Sequence, residues 1–154
     1  MVWIALRTSG PDPEADRIES ILVRITDKKR VIRAQADPIE VGEDRARAEA
    51  AALELVKAHV GKEAGLLAGT RVQAIRLFLA PQMPALFDYL HYRNVDVDTV
   101  RELVRRWYPE VYAARPSAVG LDALEHAIEE LRYYRDNAFL AAPSTPSPDA
   151  PEPS

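Results

Sequence analysis

No cysteine occurs in the 154 residues, so disulfides and thiolate metal sites are excluded and a reducing interior suits the chain. No apolar run approaches the ~20 residues that cross a bilayer. The first residues enter a strand pattern directly, without a signal peptide's charged and apolar regions. A cytoplasmic location with no membrane partner is therefore expected. Basic charge is not in excess: 20 Lys and Arg stand against 24 Asp and Glu, giving a net charge of -4. The pI of about 5.4 argues against bulk, sequence-independent nucleic-acid binding but leaves room for a small local basic pocket. Two of the three histidines, His59 and His126, sit in helical stretches without companion ligands at metal-binding spacing. Both read as structural or solvated.

What is present suits one ordinary α/β domain, with 47% hydrophobic residues. Val2, Ile4 and Leu6 alternate with Trp3, Ala5 and Arg7, the period of a pleated strand. Gly10, Pro11 and Pro13 end it. Ile18–Thr26 is rich in β-branched residues and predicts a second strand. Asp27-Lys28-Lys29 predicts a hairpin turn, and Val31–Ile39 a weaker third strand ending near Pro38. An antiparallel meander follows.

From Glu43 to Val60 the pattern is helical, with acids near the start and Lys57 near the end. Ala64–Gly69 predicts a short buried strand. Gln73–Leu79 predicts a helix stopping before Pro81, and Met83–Leu90 a second short apolar segment. Tyr92–Val97 alternates like a strand. Asp98 is the expected N-cap of a helix whose buried face is Val100, Leu103, Val104 and Trp107, with Pro109 at its end. Gly120 to about Phe139 is the last helix. Residues 141–154 are rich in proline and serine, have little to bury, and are expected to form a disordered tail after a folded domain over 1–140.

The stretch Val2–Pro13 resembles the first motif of the oligoribonucleases, the DEDD-type 3'-to-5' exoribonucleases with a histidine base. Further pieces match along the chain: Asp16-Arg17-Ile18, Thr26-Asp27, Asp44-Arg45, Met83-Pro84, His91-Tyr92-Arg93, Asp96-Val97, Glu102-Leu103, Arg105-Arg106-Trp107 and Tyr133-Tyr134-Arg135. The resemblance implies a ribonuclease H-like exonuclease fold, a central mixed sheet with antiparallel first strands flanked by helices. It also implies an enzyme that uses Mg or Mn.

The positions that would do the chemistry depart from the family. Its paired metal-binding acids fall at Ala5 and Arg7, its third acid at Ile75, its general base at Ala118 and its last ligand at Ala123. A one-residue shift would bring Ser117 and Asp122 onto the last two positions. That restores a single carboxylate, whereas two-metal hydrolysis needs several oxygens around ions about 3.5–4 Å apart. No metal or other cofactor is therefore expected. The family's substrate-contacting segment before the first long helix is reduced here to the connection Pro38–Asp44.

Nucleotide- or phosphate-binding candidates remain at Arg7, Arg71, His91, Tyr92 and Arg93. In the family the matching His-Tyr-Arg lies near the dimer interface, and its Tyr and Arg help cap the 5'-phosphate and terminal base of a short RNA; packing of the dimer or of the strand start is the triplet's more ordinary role. Asp98 and Arg71 stand at two phosphate-contacting serines; a helix cap and a solvated charge are their ordinary roles. Arg7 either grips a phosphate in place of the metal or pairs with Asp122 or Glu19 and plugs the cleft, and the plug is the preferred reading. Asp12, Asp16 and Glu19 read as turn and surface residues.

Three functions follow. The first is a catalytically inactive interaction module, a homodimer or a heteromer with a related nuclease through the His91–Trp107 region. The second is a metal-independent binder of short RNA or 5'-phosphates. The third and least favoured is an exonuclease with a rearranged site.

Overall fold

The computed structural model describes residues 1–29 and 31–139; the Pro/Ser-rich tail lies outside the described residues. In order along the chain the elements are β1 (Val2–Thr8), β2 (Ile18–Thr26), β3 (Ile32–Gln35), β4 (Ile39–Glu40), α1 (Arg45–Lys57), β5 (Leu66–Gly69), α2 (Val72–Gln82), α3 (Pro84–Tyr89), β6 (His91–Asp96), α4 (Val97–Trp107), α5 (Pro109–Ala113) and α6 (Ala123–Asn137). One mixed sheet runs β3-β2-β1-β5-β6, with β4 also paired to β2. β1 is antiparallel to β2, with Ala5 opposite Leu22 and Arg7 opposite Ser20. β1 and β5 are parallel, as are β5 and β6.

The alternation in β1 divides the core between two faces. Val2 and Ile4 pack with Val23, Leu67, Ala52 and Val56 of α1, and Phe78 and Leu79 of α2. Trp3 packs with Ala68 and Val97 and with Leu124, Ala127, Ile128 and Leu131 of α6. Apolar helix stripes thus cover both sides of a sheet buried at its centre, the arrangement that parallel pairing requires.

Several local expectations are corrected. The third strand is two pieces lying one after the other along β2, paired at Arg24–Thr26 and at Ser20–Ile21 respectively. The break spans Ala36–Pro38, where proline lacks a ladder donor. α2 continues through Pro81 to Gln82. Proline forfeits only its own bond to the carbonyl four residues back, and Met83 N–H still reaches Leu79 O at 2.7 Å. Met83–Leu90 contains the helix α3, with Pro84 at its first turn, where a missing N–H costs little. Pro109 follows the end of α4, as expected, and also opens the short helix α5. The last helix starts at Ala123, capped by Asp122.

The N-cap of α4 is Asp96, not Asp98: its carboxylate accepts from Asp98 N–H at 2.8 Å and Thr99 N–H at 3.4 Å. The other oxygen of Asp96 accepts from Val72 N–H at 2.8 Å. One carboxylate therefore serves the starts of α2 and α4.

Gly69 ends β5 at φ +155, and a Cβ there would lie 2.8 Å from Ile4 O. Only glycine allows the two main chains this approach. Gln82, at the end of α2, accepts from Ile18 N–H and donates to Asp16 O, both at 2.9 Å, and so holds the loop after β1 against the helix.

Candidate functional site

At the carboxyl ends of β1 and β5, the usual ligand position in such sheets, lies a cavity of about 190 Å³. Ala5 and Thr8 of β1, Thr70 and Arg71 after β5, Ile75 and Phe78 of α2, and Ala123 of α6 line it, with Ala74, Leu6 and Pro11 at its margin. Three positions at which the family resemblance led metal-binding acids to be expected, Ala5, Ile75 and Ala123, thus meet in one place. They offer methyl and larger alkyl groups. The side-chain oxygens here belong to Thr8 and Thr70.

A divalent ion of the kind the resemblance implies would sit in this cavity, among the residues that line it. Mg²⁺ or Mn²⁺ requires oxygen ligands, normally including carboxylates. No carboxylate lines the cavity, and among the described residues no three metal-ligating side chains are grouped. The residues present do not fit the ion.

The remaining positions lie elsewhere. Arg7 shares the face of Ala5 but extends away from the cavity across β2, so it does not plug the cleft. Its Nη2 donates to Glu40 at 2.7 Å and its Nε to Ser20 Oγ at 3.3 Å, and Glu19 lies 3.4 Å from Nη1. The expected pairing with Glu19 is present; a pairing with Asp122 is not. Ala118 lines a separate pocket with Arg115 and His126.

Asp122 is taken by Arg24, an arginine only 6% exposed in β2. The two guanidinium Nη atoms of Arg24 each bond one oxygen of Asp122, and Glu125 lies 3.5 Å away. Asp122 also accepts from Leu124 and Glu125 N–H at 2.9 Å, while Glu125 returns a bond to Asp122 N–H at 3.2 Å, completing a capping box. The hydrogen bonds from Arg24 are the main cause that holds the Asp122 carboxyl below its ordinary range. This residue fastens α6 to the sheet and points away from the cavity, as its offset of about 100° from Ala123 on the helix requires.

Among the nucleotide candidates only Arg71 lines the cavity. It has φ 52 and ψ 44 just before α2, the left-handed region, and its N–H donates to Asp98 Oδ2 at 3.1 Å. Its side chain also borders a shallower groove of about 640 Å³ with Leu77, Glu102 and Leu103.

His91, Tyr92 and Arg93 form a self-stacked unit at the start of β6. The His91 and Tyr92 rings lie 4.5 Å apart at 25°, and Arg93 Nε donates to the Tyr92 hydroxyl at 3.1 Å. Tyr92 is 73% exposed. The five candidates do not form one site in the single chain.

Sequence reading passed over Arg24, Asp96 and Gln82, whose partners lie far along the chain. The strand position of Arg24 was the one available sign, a charge within an otherwise apolar β-branched run.

The sheet order, its mixed pairing and the helices on both faces define an exonuclease-type, ribonuclease H-like α/β fold. The Exonuclease I of Methylocaldum szegediense superposes with a TM-score of 0.62 at 15% identity, over 89% of this chain and 40% of that one. The chain therefore spans well under half of that structure, and the likeness concerns the fold.

Sequence relatives are nearer. The oligoribonuclease of Shewanella loihica is 35% identical, over 90% of this chain and 95% of that protein. That of Halorhodospira halophila is 33% identical, over 94% of this chain and 96% of that protein. No protein-family model matches. The chain belongs to the oligoribonuclease family.

Proposed function

We propose that this chain is an oligoribonuclease-family protein that does not carry out metal-dependent hydrolysis and acts as a dimerisation or protein-interaction module. The observation that supports this is the meeting of Ala5, Ile75 and Ala123 around a cavity without a carboxylate. A family mechanism would use bound ions to generate hydroxide and steady the leaving oxygen. Here Arg7, the one charged replacement, is engaged by Glu19 and Glu40 outside the cavity.

The interaction reading draws on β6, the last strand in the sheet order, whose outer side has no partner strand within the described chain. Tyr92, Leu103 and Trp107, on β6 and α4, are exposed. Such a strand with large apolar neighbours suits a second copy or a related nuclease. A second reading, metal-independent binding of short RNA or 5'-phosphates, is favoured by Arg71 at the rim of a cavity that also carries the Thr8 and Thr70 hydroxyls and no carboxylate. A non-glycine residue in the left-handed region costs of order 1 kcal/mol and recurs at ligand sites.

The deciding experiment incubates the protein with a 5'-labelled diribonucleotide and Mg²⁺ or Mn²⁺. No turnover is expected; turnover abolished by a chelator would overturn the proposal. Light scattering should show a species larger than one chain, and a strict monomer would leave a heteromeric partner only.

A further inference from the structure

A second pocket lies apart from the cleft, where α4, α5 and the loop into α6 meet. Its volume is about 550 Å³, and Arg101, Tyr112, Arg115, Ser117, Ala118 and His126 line it. Acids outnumber bases in this chain by 24 to 20, yet no carboxylate lines this pocket. Ala118, where the resemblance places the family's general base, lines this pocket and not the cavity of Ala5 and Ile75.

The basic groups here differ in how far they are neutralised. Arg101 is spoken for: Glu130, beneath the pocket, binds its Nε at 2.7 Å and its Nη2 at 2.6 Å, and Asp98 holds Nη1. Arg115 meets no carboxylate among the described residues. Its guanidinium lies 4.0 Å from the centroid of the Tyr112 ring, and its Nη1 donates to Tyr112 O at 3.0 Å. Those two contacts fix the plane of the fork while leaving most of its five N–H donors unused.

Ser117 Oγ accepts from Val119 N–H at 3.3 Å, which leaves its own O–H to donate. His126 turns Nδ1 toward Glu130, 3.9 Å away, so Nε2 is left for another partner and donates to it in the imidazolium form. Ordered donors, one unmatched cation and no facing acid make up an anion receptor.

We propose that this pocket binds a phosphate dianion, either free phosphate or the terminal group of a phosphomonoester. Arg115 is its principal contact, and Ser117 and His126 complete the ring of donors. The proposal stands independently of the function assigned to the cleft.

The test titrates the full-length protein with inorganic phosphate and, separately, with adenosine monophosphate, followed by NMR at constant ionic strength. Saturable shifts are expected at residues 115–118 and at the His126 ring. Arg115→Met should weaken binding by about tenfold or more, as loss of a charged hydrogen-bonding partner does. Arg115→Lys, which keeps the stem and charge but not the fork, should fall between. Arg71→Ala, at the cleft, should leave the titration read at residues 115–118 unchanged, which separates this site from any anion binding there. Equal affinity for the two probes identifies free phosphate as the ligand; tighter binding of the nucleotide identifies a phosphomonoester. Absence of saturation by about 10 mM, equal shifts with chloride, or unchanged binding in both Arg115 variants would overturn the proposal.

Discussion

Glu130 has no solvent exposure, yet it remains ionised. Burial pushes its carboxyl up; hydrogen bonds from Arg101 and from the Tyr134 hydroxyl, the latter at 2.6 Å, outweigh that and hold it below its ordinary 4.5. Its contribution to stability is therefore present above pH 4.5 and lost as pH falls through the lower folded value. Glu130→Gln should cost about 3 kcal/mol in denaturant unfolding at neutral pH, the low end for a broken buried pair, because Asp98 still holds Arg101. It should also flatten the acid limb of the stability curve below that pH.

Residues of this kind were poorly legible in the sequence. Arg101 and Glu130 are 29 positions apart, and Arg24 and Asp122 are 98 apart, so no local pattern joins them. The face of Arg7 could be read from its two-residue spacing to Ala5. Its destination depended on Glu19 and Glu40, acids brought alongside by β2 and β4.

Among elements, α6 relies on one side chain for both its cap and its tie to the sheet. Asp122 caps it and also joins it to Arg24 on the sheet, so Asp122→Ala removes both supports. The loss should be about 2 kcal/mol, combining a missing cap with a stranded arginine and allowing for partial exposure of the carboxylate. Urea unfolding measures it, and a loss no larger than that of an ordinary cap would show that Arg24 contributes little.

Elements with long, regular periodicity were legible: β1, β2, α1, α4 and α6 appear where alternation or helical spacing placed them, within a few residues, and the short strand β5 was marked by its flanking glycines. Short apolar runs were not, since a run such as Met83–Leu90 fits strand or helix equally by pattern. Proline misled at Pro81, where the helix had its other bonds to rely on, but not at Pro109, which follows the end of α4 as expected.

For the molecule as a whole, the family resemblance implied a central mixed sheet flanked by helices, which periodicity alone could not, while the strand order came only from the structure. Strand pairing across β1 and β5 joins residues more than sixty positions apart, and no local pattern connects them in advance. The candidate site was legible as a set of missing groups: the meeting of Ala5, Ile75 and Ala123 follows from the fold. What replaced the missing groups was not.

A protein without a fitting ion site should be indifferent to divalent ions. Its melting temperature should move by less than about 1 °C between millimolar Mg²⁺ or Mn²⁺ and excess chelator, because a ligand stabilises only in proportion to its occupancy of the native state. A rise of several degrees would place an ion somewhere on the fold.

At Gly69 the main chains of β1 and β5 touch, with no room for even one added carbon. The width of the recess is thus held by atoms that every amino acid shares, while its polarity is decided by what those chains carry. Relining such a recess from charged to oily leaves its dimensions alone. A shape comparison with working nucleases will therefore succeed whether or not this chain cuts RNA, and only the chemistry of the lining distinguishes the two.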